Sequence, residues 1–197
     1  MEIKPGIHAY ELEWPKCTQY AEEQEPLWVH VVETPEVTVL FGTGDETTKD
    51  ELIPIAVDHG VDQVVVEHGD PDHWEGAPFL RDELDVEISI PAGDAERMID
   101  AGIEPDRRLE SGNTYWGIET IAAPGHTPGD MGYLYRDTLI AGDIVFGVDS
   151  VFTLEYDYSG KLGVVTPDWN SDDEAMRQSV RDLVEYDFDV VLVTHGS

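Results

Sequence analysis

Cysteine is nearly absent from this chain of 197 residues. Cys17 is the only one, so no intramolecular disulfide can form and no CxxC metal or redox site exists. It is expected to be a lone thiol without a chemical role. Long apolar runs are missing as well: nothing approaches the roughly 18 consecutive apolar residues that a membrane span needs. The start, Met1-Glu2-Ile3-Lys4-Pro5-Gly6, has neither a basic nor an apolar segment. No export signal is visible there, and a cytoplasmic location is expected. Positive charge is scarce, with lysine limited to Lys4, Lys16, Lys49 and Lys161. Binding to nucleic acid is therefore not expected, because neutralising phosphates requires clustered Lys and Arg. GxSxG, P-loop and SxxK motifs are absent too, which removes support for a serine nucleophile or a nucleotide cradle.

What is abundant is acid. Asp and Glu number 43 against 11 Lys and Arg, for a formal net charge of −32. The acids are scattered and form no tail, so the charge belongs to the whole surface and not to one docking patch. Such self-repulsion is tolerable where salt shortens the Debye length to about 3 Å, near 1 M. The composition resembles that of proteins from salt-in halophiles, and stability is expected to rise with KCl. Apolar residues make up 41%, enough for folding. The length suits one core, and no repeat or linker divides it, so residues 1–197 are expected to form a single domain.

The first third reads as β: residues 7–14, 27–32 and 37–41, broken by Pro26 and Pro35. A helix is expected over 48–59, ended by Gly60, with Pro54 requiring a kink or a later start. Residues 63–66 read as a short buried strand, 86–90 as another, and 93–101 as a short helix. Strands follow at 114–122, 132–135, 138–141 and 190–194. Ser171-Asp172-Asp173-Glu174 reads as a capping box, with Met176, Val180, Leu183 and Val184 as the apolar stripe of its helix. Strands in runs with few helices between them suggest sheets covered by helices.

The loop His68-Gly69-Asp70-Pro71-Asp72-His73 follows the apolar run Val64-Val65-Val66. Two imidazoles and two carboxylates within six residues form a mixed donor set, suited to Zn²⁺, Mn²⁺ or Fe²⁺. Adjacent Asp72 and His73 should diverge, so the loop can serve two cations. His126 sits in the Pro/Gly-rich turn Ala123-Pro124-Gly125-His126-Thr127-Pro128-Gly129, Asp143 follows an apolar strand, and His195 follows the last one. Strand ends are where ligands are commonly mounted. His8, His30 and His59 carry no such context and read as structural or exposed.

In this order the residues resemble the metallo-β-lactamase superfamily, whose signature is HxHxDH, then a histidine in a G-H-[ST]-x-G turn, an aspartate and a final histidine. The likeness covers nearly the whole chain. It implies an α+β fold, a four-layer αββα sandwich with the site at one edge between the sheets. It implies two divalent metal ions, zinc first, with iron or manganese admitted by Asp70. One would be held by His68, Asp70 and His126, the other by Asp72, His73 and His195, with Asp143 bridging both. It also implies hydrolysis of a small ester, thioester, lactone or phosphoester by a hydroxide held between the cations, with Asp72 handling its proton. The partner would then be a small-molecule substrate. Glyoxalase II-like enzymes carry a helical region after the final histidine, and here only two residues follow His195, so glutathione substrates are not expected.

Three positions depart from the pattern. Asp70 replaces the second motif histidine, Glu67 stands where threonine is usual, and Gly42 stands where an aspartate is common. A weaker or less zinc-selective first site is expected, with reduced activity as one outcome. Asp70 also opens a redox alternative, since a diiron flavoprotein branch carries an acid there. A second alternative is a non-catalytic binding protein with a degenerate site. The glycines of Phe41-Gly42-Thr43-Gly44 faintly suggest a dinucleotide loop, but Thr47 replaces the third glycine and no βαβ series follows. Trp74, Trp116, Trp169, Phe146, Phe152 and Tyr156 are aromatics that could line a pocket, though core positions are as natural for them.

Overall fold

The structure, a computed structural model, describes residues 1–153 and 161–196. Seven strands form the first sheet in sequence order: β1 (Glu2–Lys4), β2 (Ile7–Leu12), β3 (Leu27–Glu33), β4 (Thr38–Phe41), β5 (Gln63–Val65), β6 (Glu87–Pro91) and β7 (Arg107–Leu109). The first four pair antiparallel, and β4 through β7 pair in parallel. The second half supplies β8 (Thr114–Tyr115), β9 (Ile118–Ala122), β10 (Met131–Tyr135) and β11 (Thr138–Ile140). A ribbon of β12 (Phe146–Gly147) and β13 (Leu162–Gly163) follows, and β14 (Val190–Leu192) returns to pair in parallel with β11. The second sheet thus runs β14-β11-β10-β9-β8.

Side-chain alternation builds the layers. Val65 faces the second sheet with Phe41, Tyr133 and Ile140, while Val64 and Val66 face Leu52, Ala56, Leu80 and Met98 on the helical side. A strand buried on both faces reads as a continuous apolar run, which is why Val64-Val65-Val66 does not alternate with polar residues. The helices on that side are α1 (Lys49–His59), α2 (Pro71–Trp74), α3 (Ala77–Leu84) and α4 (Ala95–Asp100). The far face of the second sheet packs Ile121, Leu139 and Ile144 against Val180 and Leu183 of α5 (Asp173–Asp182) and the turn after it. The expected αββα sandwich is present.

Several local expectations need correction. α1 starts at Lys49 and continues through Pro54, which is exposed, so the later start is not taken; Gly60 closes it in the left-handed conformation at φ 61°. The strand expected over 114–122 is a hairpin, because Trp116 and Gly117 both take positive φ, 52° and 82°. The capping register is also different. Asp172, not Ser171, caps α5 by accepting from the Ala175 N–H, while the Ser171 hydroxyl donates to the Gly125 carbonyl. Val184 is 81% exposed and lies outside the stripe. α3, β1, β7 and the β12–β13 ribbon were not expected from the sequence.

Candidate metal centre

The loop after β5 delivers the first donors. Pro71 occupies the first position of α2, where its missing N–H costs no helical bond, and this one-turn helix fans Asp72 and His73 apart. The buried Trp74 indole N–H donates to the Gly69 carbonyl at 3.1 Å and closes the loop from below.

Side chains far apart in sequence converge here. His68 Nε2 lies 3.8 Å from Asp143 Oδ2, and His126 Nε2 lies 3.5 Å from the same oxygen. Asp70 Oδ2 faces both imidazoles, at 3.7 Å from His68 Nε2 and 3.1 Å from His126 Nε2. On the other side, His195 Nε2 is 3.3 Å from Asp72 Oδ2, and His73 Nε2 is 3.3 Å from Asp143 Oδ1. His195 Nε2 also reaches Asp143 Oδ2 at 3.6 Å. Two donor groups result, His68/His126/Asp143 and Asp72/His73/His195, with Asp143 between them. All seven residues singled out in the sequence meet at this one place.

The donor set fits a pair of cations. His68 Nδ1 and Nε2, His73 Nε2, His126 Nδ1 and Nε2, and Asp143 Oδ1 are buried and have no hydrogen-bond partner among the described residues. Buried polar atoms in native proteins are almost always satisfied, so a converging group of orphans calls for a ligand. The local field carries the same message. Burial disfavours the His126 imidazolium, yet Asp70 and Asp143 lift its pKa to about 9. Burial likewise opposes His195, while Asp143, Asp72 and Glu25 lift it to about 10. The carboxylates thus create a strong demand for positive charge. Asp130, by contrast, is driven up to about 7 chiefly by burial.

The sequence model of the metallo-β-lactamase superfamily matches residues 25–195. The chain belongs to that superfamily. A metallo-β-lactamase structure from Hirschia baltica superposes with a TM-score of 0.70 at 16% identity, covering 100% of this chain and 90% of that one. The structure of TTHA1623 in a di-iron-bound form gives 0.63 at 22% identity, over 87% and 88%. These likenesses are of fold. A hydroxyacylglutathione hydrolase from Acidiphilium cryptum (strain JF-5) is 34% identical over 91 residues, which is 45% of this chain and 37% of that protein.

Within this superfamily member, two of the three departures from the common pattern are coupled. Glu67 Oε2 lies 3.2 Å from His73 Nδ1 and accepts its N–H, a bond that fixes the ring and directs Nε2 inward. Gly42 makes room for that carboxylate: a Cβ at position 42 would stand 3.2 Å from Glu67 Oε1. The acceptor missing at position 42 is thus supplied from position 67. The third departure has a partner as well, since Arg97 Nη1 donates to Asp70 Oδ1 at 2.5 Å.

Two buried acids went unnoticed in the sequence. Asp94 accepts from the Gly69 N–H and the Thr127 hydroxyl through Oδ2, and from the Gly129 N–H through Oδ1. It ties the His68 loop to the His126 turn. Glu25 Oε1 lies 3.2 Å from His195 Nδ1 and is held by the Ser150 hydroxyl, while Oε2 accepts from the Val151 N–H. A single Asp or Glu in so acidic a chain carries no sequence signal.

Proposed function

We propose that this chain is a dinuclear metal-dependent hydrolase of small, uncharged carbonyl substrates: esters, thioesters or lactones with an apolar acyl group. The observation that carries this reading is the cleft over Asp72 and Asp143. Its cavity of about 340 Å³ is walled by Trp14, Tyr20, Phe146, Phe152, Val165 and Trp169. Such a cleft suits an apolar group of drug-like size oriented by a few polar side chains. No Lys or Arg lines it among the described residues, which disfavours a phosphoester relative to a neutral carbonyl compound. The hydroxyacylglutathione hydrolase match supports the thioester branch, because its named substrate is an acylated thiol.

In this reading His68, Asp70 and His126 would hold one cation and Asp72, His73 and His195 the other, with Asp143 lying between the two donor groups. When bound, the cations supply Lewis acidity and a water ionised near neutral pH. The remaining work falls to the chain. Asp72, facing the cleft, orients the attacking water and takes its proton. The aromatic walls seat the acyl group and exclude bulk solvent. Glu67 and Glu25 hold the His73 and His195 rings, and Asp94 ties together the loops that carry His68 and His126. Zinc is the expected metal, with iron or manganese favoured by the carboxylate at position 70.

The test is a panel of acyl ester, acyl thioester, lactone and phosphodiester assayed in molar KCl with zinc-, iron- and manganese-loaded protein. Turnover of a carbonyl substrate should vanish with chelation, return with metal, and drop on the order of 100-fold or more in Asp72→Asn. No turnover with any metal, or turnover indifferent to Asp72→Asn, would overturn the proposal in favour of a non-catalytic binding protein. The diiron redox reading rests on Asp70 and on the di-iron form of TTHA1623. It requires bound iron and NADH-linked oxygen consumption with a separate flavoprotein, and a colourless zinc protein would remove it.

A further inference from the structure

Two histidines that looked unremarkable in the sequence meet at the other end of the first sheet. His8 lies on β2, Glu33 ends β3 and His59 ends α1. Leu27, at the start of β3, forms a bridge with His195, so Glu33 stands six residues away, about 20 Å along the strand. This cluster is therefore separate from the centre described above. His59 Nδ1 lies 3.0 Å from Glu33 Oε1, and His8 Nε2 lies 3.6 Å from the same oxygen. The two imidazole rings are 4.5 Å apart between centroids, tilted by 53°.

The geometry points to a second kind of metal site here: a surface site for one borderline divalent cation of the zinc–copper class, held by His8 Nε2, His59 Nδ1 and Glu33. The three donor atoms all lie within 4.8 Å of one another. A tetrahedral zinc ion with ligands at about 2.0–2.1 Å places its donors roughly 3.4 Å apart, so only small side-chain rotations are needed. Two imidazoles and one carboxylate, with an open face, form a donor set common among transition-metal sites. The other His59 nitrogen is already engaged, since Nε2 contacts the Tyr10 hydroxyl at 2.6 Å. A ligating histidine almost always donates its second N–H in this way, which fixes the ring and the tautomer.

A purely structural ion pair explains less. Glu33 with His59 at the C-terminal end of α1 is a reasonable pair in itself. It leaves His8 too distant for a hydrogen bond to the shared oxygen, with its ring against another imidazole. A cation between the three satisfies every donor at once. His8 and His59 are mostly covered and Glu33 is partly open, as a site with exchangeable water positions requires.

The probe is Cu²⁺ alone, added in molar KCl to a chain carrying His68→Ala, His73→Ala, His126→Ala and His195→Ala, so that the main centre keeps no imidazole. One tightly bound copper is expected, with EPR hyperfine structure from two imidazole nitrogens. Adding His8→Gln and His59→Gln should weaken it at least about 100-fold, and Tyr10→Phe alone about 10-fold. Should the disabled chain fail to fold, His8→Gln/His59→Gln in the otherwise intact, metal-loaded protein must release one metal per chain while hydrolysis continues. Copper binding unaffected by His8→Gln/His59→Gln, or an intact protein whose metal content those substitutions leave unchanged, overturns the proposal.

Discussion

Arg97 grips one oxygen of Asp70 and thereby aims the other at His126. The guanidinium donates to Oδ1 at 2.5 Å, and Oδ2 lies 3.1 Å from His126 Nε2. A carboxylate in a position where the superfamily usually has an imidazole brings an extra negative charge. Arg97 offsets that charge and restricts the side chain to one orientation. Arg97→Met should therefore lower metal retention and kcat/KM by about 10-fold. In an Asp70→His background the same change should do little, and zinc occupancy should rise. A double-mutant cycle on metal content measures the coupling directly, and equal effects of Arg97→Met in both backgrounds would refute it.

Gly42 and Glu67 should behave as a reciprocal pair. Gly42→Asp alone crowds Glu67 and places a second carboxylate beside it, at a backbone φ of 70°. A loss of about 2–4 kcal/mol in folding stability is expected. Glu67→Thr alone leaves the buried His73 Nδ1 without its acceptor and should cost about 1–3 kcal/mol. The double variant should recover most of both losses. Additive losses in urea melts would show that the two positions are independent.

His30 gives a pH dependence outside the metal centre. Burial, the sole cause, lowers its pKa from the ordinary 6.5 to about 3. Between those values the unfolded chain takes up a proton that the folded chain refuses. Stability is therefore present above 6.5 and declines as the pH falls, by up to about 1.4 kcal/mol per pH unit. Comparing wild type with His30→Leu by urea unfolding, the difference in stability should shift by about 1.6 kcal/mol toward the variant between pH 6.5 and 5. A pH-independent difference would contradict the assignment.

Salt should matter as much as any single residue. With a net charge of −32, mutual repulsion opposes compaction in dilute buffer. The melting temperature should climb as KCl is raised toward molar concentrations, and a flat profile would refute that.

How much of this could be read in advance depended on how locally each feature is encoded. The candidate ligands were legible because His68, Asp70, Asp72 and His73 fall within six residues and because His126, Asp143 and His195 each lie shortly after an apolar strand. The strand at Gln63–Val65 and the stop at Gly60 follow from local chemistry. The capping register at Asp172 did not, since Ser171 and Asp172 are both good caps and tertiary contact with Gly125 decides between them. Gly42 and Glu67 each looked like a loss in the sequence, and only their contact in space shows one replacing the other. His8 and His59 lie 51 positions apart in sequence, and only the packing of α1 over β2 brings them together. Tyr156, the remaining aromatic considered for the pocket, lies outside the described residues.

Asp94 has a consequence for how this molecule is made. Its carboxylate is the clasp between a loop emerging from the first half of the chain and a turn belonging to the second. Neither half alone possesses a working pocket, only a few lone donors. His68, Asp70, Asp72 and His73 come from one side of that clasp and His126, Asp143 and His195 from the other, so the seven donors share a single pocket only where the two halves meet.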